Sequence, residues 1–319
     1  MMKRRTLGFI LVLVFVVGIF QWEPVGKYLE VFGNPTSAPE EDPFYQKIVQ
    51  EAKGKEEAPI EPWIDPVWKL TPGYNGIRVN LDETYRVSRN KGGKVQWVTE
   101  EIKPRKTLWD FPPTPIYRGN PRKKMVAFMI NVAWGNEYIE PILSTLREKQ
   151  VKATFFFDGS WLKKNPELAR TILADGHEVG NHAYTHPQMS RLSRERIIEE
   201  ISGTNKEIEQ VLGITSKYFA PPSGDYDSRV VSEAWKQKML TVLWTLDTVD
   251  WRKPSTEEMV TRIVRKASPG NLILMHPTKP TAEGLKEMIE GIEAKGIRIG
   301  TVSQLLSSSR FPLENPDNF

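Results

Sequence analysis

From about residue 125 onward the chain alternates short apolar runs with longer amphipathic stretches, and this alternation limits its fold more than any other feature. A short apolar run bounded by polar residues reads as a strand buried on both faces. A stretch with apolar residues at helical spacing reads as a helix lying over it. Repetition of the pair requires crossover connections and therefore parallel strands. Strands are predicted at 126–131, 153–157, 178–180, 218–220, 240–246, 272–275 and 297–301, with helices between them such as 137–149, 160–174 and 194–212. The expected fold class is α/β, a distorted (β/α) barrel of about seven parallel strands.

The upstream chain is organised differently. Lys3, Arg4 and Arg5 precede an uninterrupted apolar run at 7–20, the pattern of a secretory leader with its positive end inside. That run would span about 21 Å as a helix, against a hydrocarbon thickness of roughly 30 Å. No small-x-small cleavage site follows closely. Residues 1–22 are therefore read as a membrane anchor or a signal peptide, and either places the remainder outside the cytoplasm, anchored to the membrane or secreted. Residues 23–62 read as a Pro-, Glu- and Lys-rich linker with one short amphipathic stretch at 44–52. Residues 63–120 read as a small accessory region with a turn signal at 72–76, residues 121–308 as the main domain and 309–319 as a tail.

Composition excludes several chemistries. The 319 residues include no cysteine, so disulfides, a thiol nucleophile and a cysteine metal site are ruled out. With 44 basic and 40 acidic residues, the net charge of +4 gives no reason to expect a nucleic-acid partner.

The polar residues cluster at strand ends. Asn131 closes the first predicted strand, His182 and His186 follow the third, Pro221 and Pro222 the fourth, Asp247 and Asp250 the fifth, and His276 the sixth. In an α/β barrel these are positions on the C-terminal face, where βα loops build sites. His182 and His186 stand four residues apart, a spacing that suits a shared metal or two ordinary surface histidines. His177, in a helix-to-strand turn, reads as structural. Trp134, Trp244 and Trp251 fit either a binding wall or plain barrel core.

Together these segments resemble the polysaccharide deacetylases of the NodB-homology type, over about residues 124–306. His182-Ala-Tyr-Thr-His186 is similar to that family's metal-binding histidine pair. Leu274-Met275-His276 is similar to its last motif, whose histidine is the general acid. Asp247-Thr-Val-Asp250-Trp251 is similar to the motif whose aspartate orients that histidine and whose tryptophan walls the acetyl pocket. The segment Asn131-Val-Ala-Trp134-Gly135 looks closest to sporulation-associated members from spore-forming bacteria. The resemblance implies metal-dependent hydrolysis of N-acetyl groups on peptidoglycan or a chitin-like glycan. A divalent ion of zinc or cobalt type polarises the acetyl carbonyl and activates water, a base takes a proton, and an acid protonates nitrogen. By this resemblance Pro221, Pro222 and Trp251 would contact substrate.

Two motifs depart from that pattern. Active members carry two consecutive aspartates, a base and a metal ligand, where this chain has Asn131 and Val132. An amide accepts no proton from water near neutral pH, and valine binds no metal. The family arginine that pairs with the base is replaced by Ala220. Losing both partners of a buried ion pair strands no charge, so the fold tolerates it. The metal would then be held weakly or not at all. Two functions stay open, a deacetylase with a substitute base (Asp247, Asp250 or Glu137) and a non-catalytic glycan-binding or assembly protein of the envelope or spore wall.

Overall fold

The computed structural model describes residues 41–310; the expected leader, residues 23–40 of the linker and nearly all of the tail lie outside them. Among the described residues no helix is long and apolar enough to cross a membrane.

The chain groups into two units. The smaller comprises, of the described residues, 41–56 and 78–100, and the larger 57–77 and 101–310. The smaller is built on α1 (Pro43–Ala52) and α2 (Leu81–Asn90). Asp42 caps α1 by accepting from the Phe44 N–H at 2.8 Å, and also accepts from the Tyr85 hydroxyl at 2.5 Å and Arg89 Nη2 at 2.9 Å on α2. One carboxylate thus fixes a helix start and joins two helices.

In the larger unit, β1 (Trp63–Asp65) and β2 (Lys69–Thr71) form an antiparallel hairpin. The Pro- and Gly-rich segment at 72–76 is extended rather than turned, with Tyr74 bridged to Ile60. Its glycines serve close approach: a Cβ at Gly73 would come 2.6 Å from the Ile60 carbonyl oxygen. β3 (Gly76–Val79) and β4 (Thr99–Ile102), whose residues are divided between the two units, make a second two-stranded sheet.

The main sheet contains β5 (Met125–Val132), β6 (Thr154–Phe157), β7 (Glu178–Asn181), β8 (Tyr218–Phe219), β9 (Leu240–Thr241), β10 (Leu246–Asp247), β11 (Leu272–Met275) and β12 (Arg298–Gly300). Seven parallel strands run in the order β10-β11-β5-β6-β7-β8-β9, curled into a half-barrel, and β12 pairs with the start of β5. The single strand expected at 240–246 is two pieces. Its first part pairs with β8 and its second with β11, so the ends of the path are joined by chain rather than by a ladder. Ile116 sits at that seam, donating its N–H to the Thr241 carbonyl at 2.9 Å and accepting from the Leu243 N–H at 2.8 Å.

The interstrand helices are α3 (Asn136–Glu148), α4 (Gly159–Lys164), α5 (Pro166–Ala174), α6 (Arg194–Leu212), α7 (Ser228–Lys236), α8 (Thr256–Lys266) and α9 (Lys279–Glu293), and α10 (Val302–Leu306) follows the last strand. The helix expected at 160–174 breaks at Asn165 (φ −129°, ψ 50°), because the following Pro166 pushes its predecessor out of helical space. β5 is buried along its whole length and sorts its side chains by period two. Val126, Phe128, Ile130 and Val132 pack under the helices, whereas Met125, Ala127 and Met129 face the sheet's concave side with Leu70 and Ile116. Asn131 is next in that inner series, so the alternation of one strand delivers an amide to the concave face.

Candidate functional site

At the C-terminal ends of the parallel strands lies a cavity of about 340 Å³, within the range of small-ligand pockets. Asn131 from β5, His182 and His186 from the loop after β7, and His276 after β11 all line it. Three of the four histidines and the amide therefore converge as the sequence predicted. Trp134, Trp244 and Trp251 form aromatic walls, with Trp134 and Trp251 46% and 48% exposed and thus open to a ligand. Ala183, His186, Ser223, Val249 and Lys253 take left-handed φ of 52–61°, so non-glycine backbone strain gathers on the loops around the pocket.

The His276 arm is completely built. Asp250, with no exposure, accepts from His276 Nδ1 at 2.8 Å, the His276 backbone N–H at 2.6 Å, Thr281 Oγ1 at 2.6 Å and Thr278 Oγ1 at 3.3 Å. Burial alone would raise this carboxyl, but the His276 and Thr281 hydrogen bonds and the imidazole charge overcome it and hold it below its ordinary value. A proton on Nδ1 leaves Nε2 as the ring nitrogen for a ligand, and Trp134 stacks on the imidazole with centroids 5.9 Å apart and planes 8° from parallel. Asp250 itself lies beneath the pocket and acts through His276.

The opposing arm is incomplete. His182 is buried and donates from Nδ1 to the Ala220 carbonyl at 2.7 Å, which leaves Nε2 as a lone pair. Burial, aided by the neighbouring His186 imidazole, lowers its pKa to about 3, so it stays neutral. The two rings meet edge to face at 5.1 Å. That pose suits a metal ligand, yet the rest of the set is missing. Val132 belongs to the apolar layer under the helices, and among the described residues no group of three or more His, Asp or Glu side chains gathers to hold an ion. Asn131 Oδ1 is buried without a hydrogen-bond partner among the described residues, and Ala220 supplies only backbone. Two imidazoles and an amide oxygen do not fit a tightly held zinc ion.

The proposed substitutes separate clearly. Asp247 lines the pocket, and burial raises its carboxyl against the opposing hydrogen bond from the Val249 N–H at 2.7 Å. Asp250 is committed to His276, and Glu137 lines an adjacent cleft instead. Pro221 and Pro222, expected at the substrate, are buried behind Ser223, and it is Ser223 that reaches the wall. Residue types alone did not single out Ser223; the Pro221-Pro222-Ser223-Gly224 run that contains it was the available signal of a forced turn. His177 is buried away from the pocket, against Phe155, in agreement with a structural role.

A half-barrel of parallel strands with a histidine pair facing an aspartate-held histidine defines the polysaccharide deacetylase architecture, and the chain belongs to this family, the CE4 carbohydrate esterases with a NodB domain. The family's polysaccharide deacetylase profile matches residues 118–242. The chain is 47% identical over 271 residues to the uncharacterized protein YlxY of Bacillus subtilis, covering 84% of this chain and 85% of that one. A CE4 family pseudoenzyme from Bacillus anthracis superposes with a TM-score of 0.78 at 43% identity, over 83% of this chain and 95% of that structure. A mutant pseudoenzyme structure described as having restored enzymatic activity gives a TM-score of 0.79 at 42% identity, over 83% and 98%. A peptidoglycan-N-acetylglucosamine deacetylase of Bacillus cereus is 28% identical over 61% of this chain and 72% of its own length.

Proposed function

We propose that this chain holds N-acetylated cell-wall glycan in the strand-end pocket and, as it stands, does not remove the acetyl group. The observation that carries this reading is Asn131. It occupies the base position with its oxygen unpaired, while Val132 and Ala220 replace the other members of that arm. Aromatic walls and the Asp250–His276 arm remain to orient a sugar. With residues 1–22 as an anchor or signal, the pocket would face peptidoglycan outside the membrane. The similarity to deacetylases acting on peptidoglycan and on chitooligosaccharides supports this choice of ligand.

Calorimetric titration of the full-length protein with N-acetylglucosamine tetramer tests it. Binding is expected, weakened about tenfold by Trp251→Ala, because a lost aromatic face costs about 1.4 kcal/mol or more. Undiminished binding by that variant would remove the pocket as the glycan site. A second reading, residual hydrolysis with Asp247 as base, draws on its raised carboxyl and place on the wall. It requires acetate release from the tetramer that Asp247→Asn abolishes.

A further inference from the structure

At the opposite ends of the strands lies a second cavity, of about 370 Å³, beside the starts of β8 and β9 and the first turn of α10. Three lysines line it, Lys103, Lys106 and Lys217, and no acidic residue does. Among the described residues no carboxylate forms an ion pair with Lys103 or Lys217, and the Lys106 ammonium lies 5.7 Å over the Phe111 ring. Two carboxylates adjacent in sequence or by hydrogen bond to its lining residues have other duties. Glu61 accepts the Arg105 and Lys106 backbone N–H groups, both at 2.9 Å, and Glu178 accepts from Thr154 and from the Ser303 hydroxyl and backbone.

An aromatic plate completes the cavity. Trp109 lines it, is 42% exposed, and is backed by Trp235 with ring centroids 4.5 Å apart. A supported indole with an open face is a platform for the apolar face of a sugar ring, and unpaired ammonium groups beside it attract carboxylate or phosphate. Ser307 and Ser308 add hydrogen-bonding groups at the rim. The front pocket has a different character: its wall carries Asp247 and no lysine.

We propose that this rear cavity is a second glycan site selective for acidic glycan, with a sugar ring on Trp109 and its carboxylates on Lys103 and Lys217. The choice of a glycan over other anions rests on the function proposed above; the basic, aromatic cavity stands without it. A polymer with lactyl and peptide carboxylates meets this chemistry, whereas a neutral chitin-like chain does not.

The test is titration of the full-length protein with soluble acidic peptidoglycan fragments and, separately, with neutral N-acetylglucosamine tetramer. Lys103→Gln with Lys217→Gln is expected to weaken the acidic fragment about tenfold, since two surface charge pairs together approach that factor, and to reduce its salt dependence. Trp109→Ala should weaken it as well. Neither change should alter neutral tetramer binding, whereas Trp251→Ala should weaken that. Acidic-fragment binding unchanged in the lysine pair and in Trp109→Ala would overturn the proposal. So would lysine-dependent binding to phosphatidylglycerol vesicles with none to the fragments, which would assign the cavity to a membrane surface. Failure of the tetramer to bind, with the acidic fragment still lysine-dependent, would reject the front-pocket function and leave the rear site standing.

Discussion

Asp250 has no exposure, yet four donors end on its carboxylate. Asp250→Ala would leave those donors unpaired in a buried site, at a cost of about 3 kcal/mol in urea unfolding. Its carboxyl is held below its ordinary value, so the stability it contributes is present above the unfolded pKa, about 4, and lost as pH falls through the lower folded value. His177 acts with the opposite charge. Burial lowers its pKa to about 4, and its Nε2 has no partner among the described residues. The folded state therefore takes up this proton later than the unfolded chain, and stability declines as pH falls from about 6.5 to about 4. His177→Gln should reduce the slope of the unfolding profile across that window, the buried His182 supplying the remainder; an unchanged slope would dismiss His177 as a source. Asn131, Val132 and Ala220 were legible in the sequence because each departs from a motif at a known strand end. Ser223 was not, because the Pro-Pro-Ser-Gly run signals a turn but not the left-handed φ of 56° that carries this side chain to the pocket wall.

The regular elements were legible wherever local pattern and tertiary environment agree. β5, β6, β7 and β11 fall where apolar runs placed them, since strands buried on both faces write their burial directly into sequence. The 240–246 segment reads as one strand because a change of hydrogen-bonding partner leaves no trace in hydrophobicity. The glycine-rich segment at 72–76 was misread as a turn because close backbone approach demands the same residue. Gly135 joins two elements of the pocket: it caps α3 at φ 83°, and a Cβ there would run into the Pro277 carbonyl oxygen in the loop after His276. Gly135→Ala should cost about 2–4 kcal/mol in thermal unfolding and displace the His276 loop, weakening tetramer binding in the same variant. A stable variant with normal binding would show that the two loops move independently.

At the scale of the molecule, one arm of the pocket is a complete hydrogen-bonded Asp250–His276 pair and the other leaves the Asn131 oxygen without a partner among the described residues. His276 is oriented by a buried carboxylate, and His182 is fixed in a ligand-like tautomer by the Ala220 carbonyl. In the function proposed above, Asn131, Val132 and Ala220 stand together where a working deacetylase would need a base, an acidic metal ligand and the base's ion-pair partner. Loss of that matched set leaves no buried charge unpaired, which is why a family fold persists around an unfinished site. The similarity to CE4 pseudoenzymes, one with activity restored by mutation, supports the same view. The most direct test is acetate release from peptidoglycan and N-acetylglucosamine tetramer with zinc supplied, comparing the natural full-length protein with one carrying Asn131→Asp, Val132→Asp and Ala220→Arg. The expected result is none from the natural protein and release from the triple variant that His276→Ala abolishes. Release by the natural protein that also requires His276 would contradict the account and return the chain to the working deacetylases.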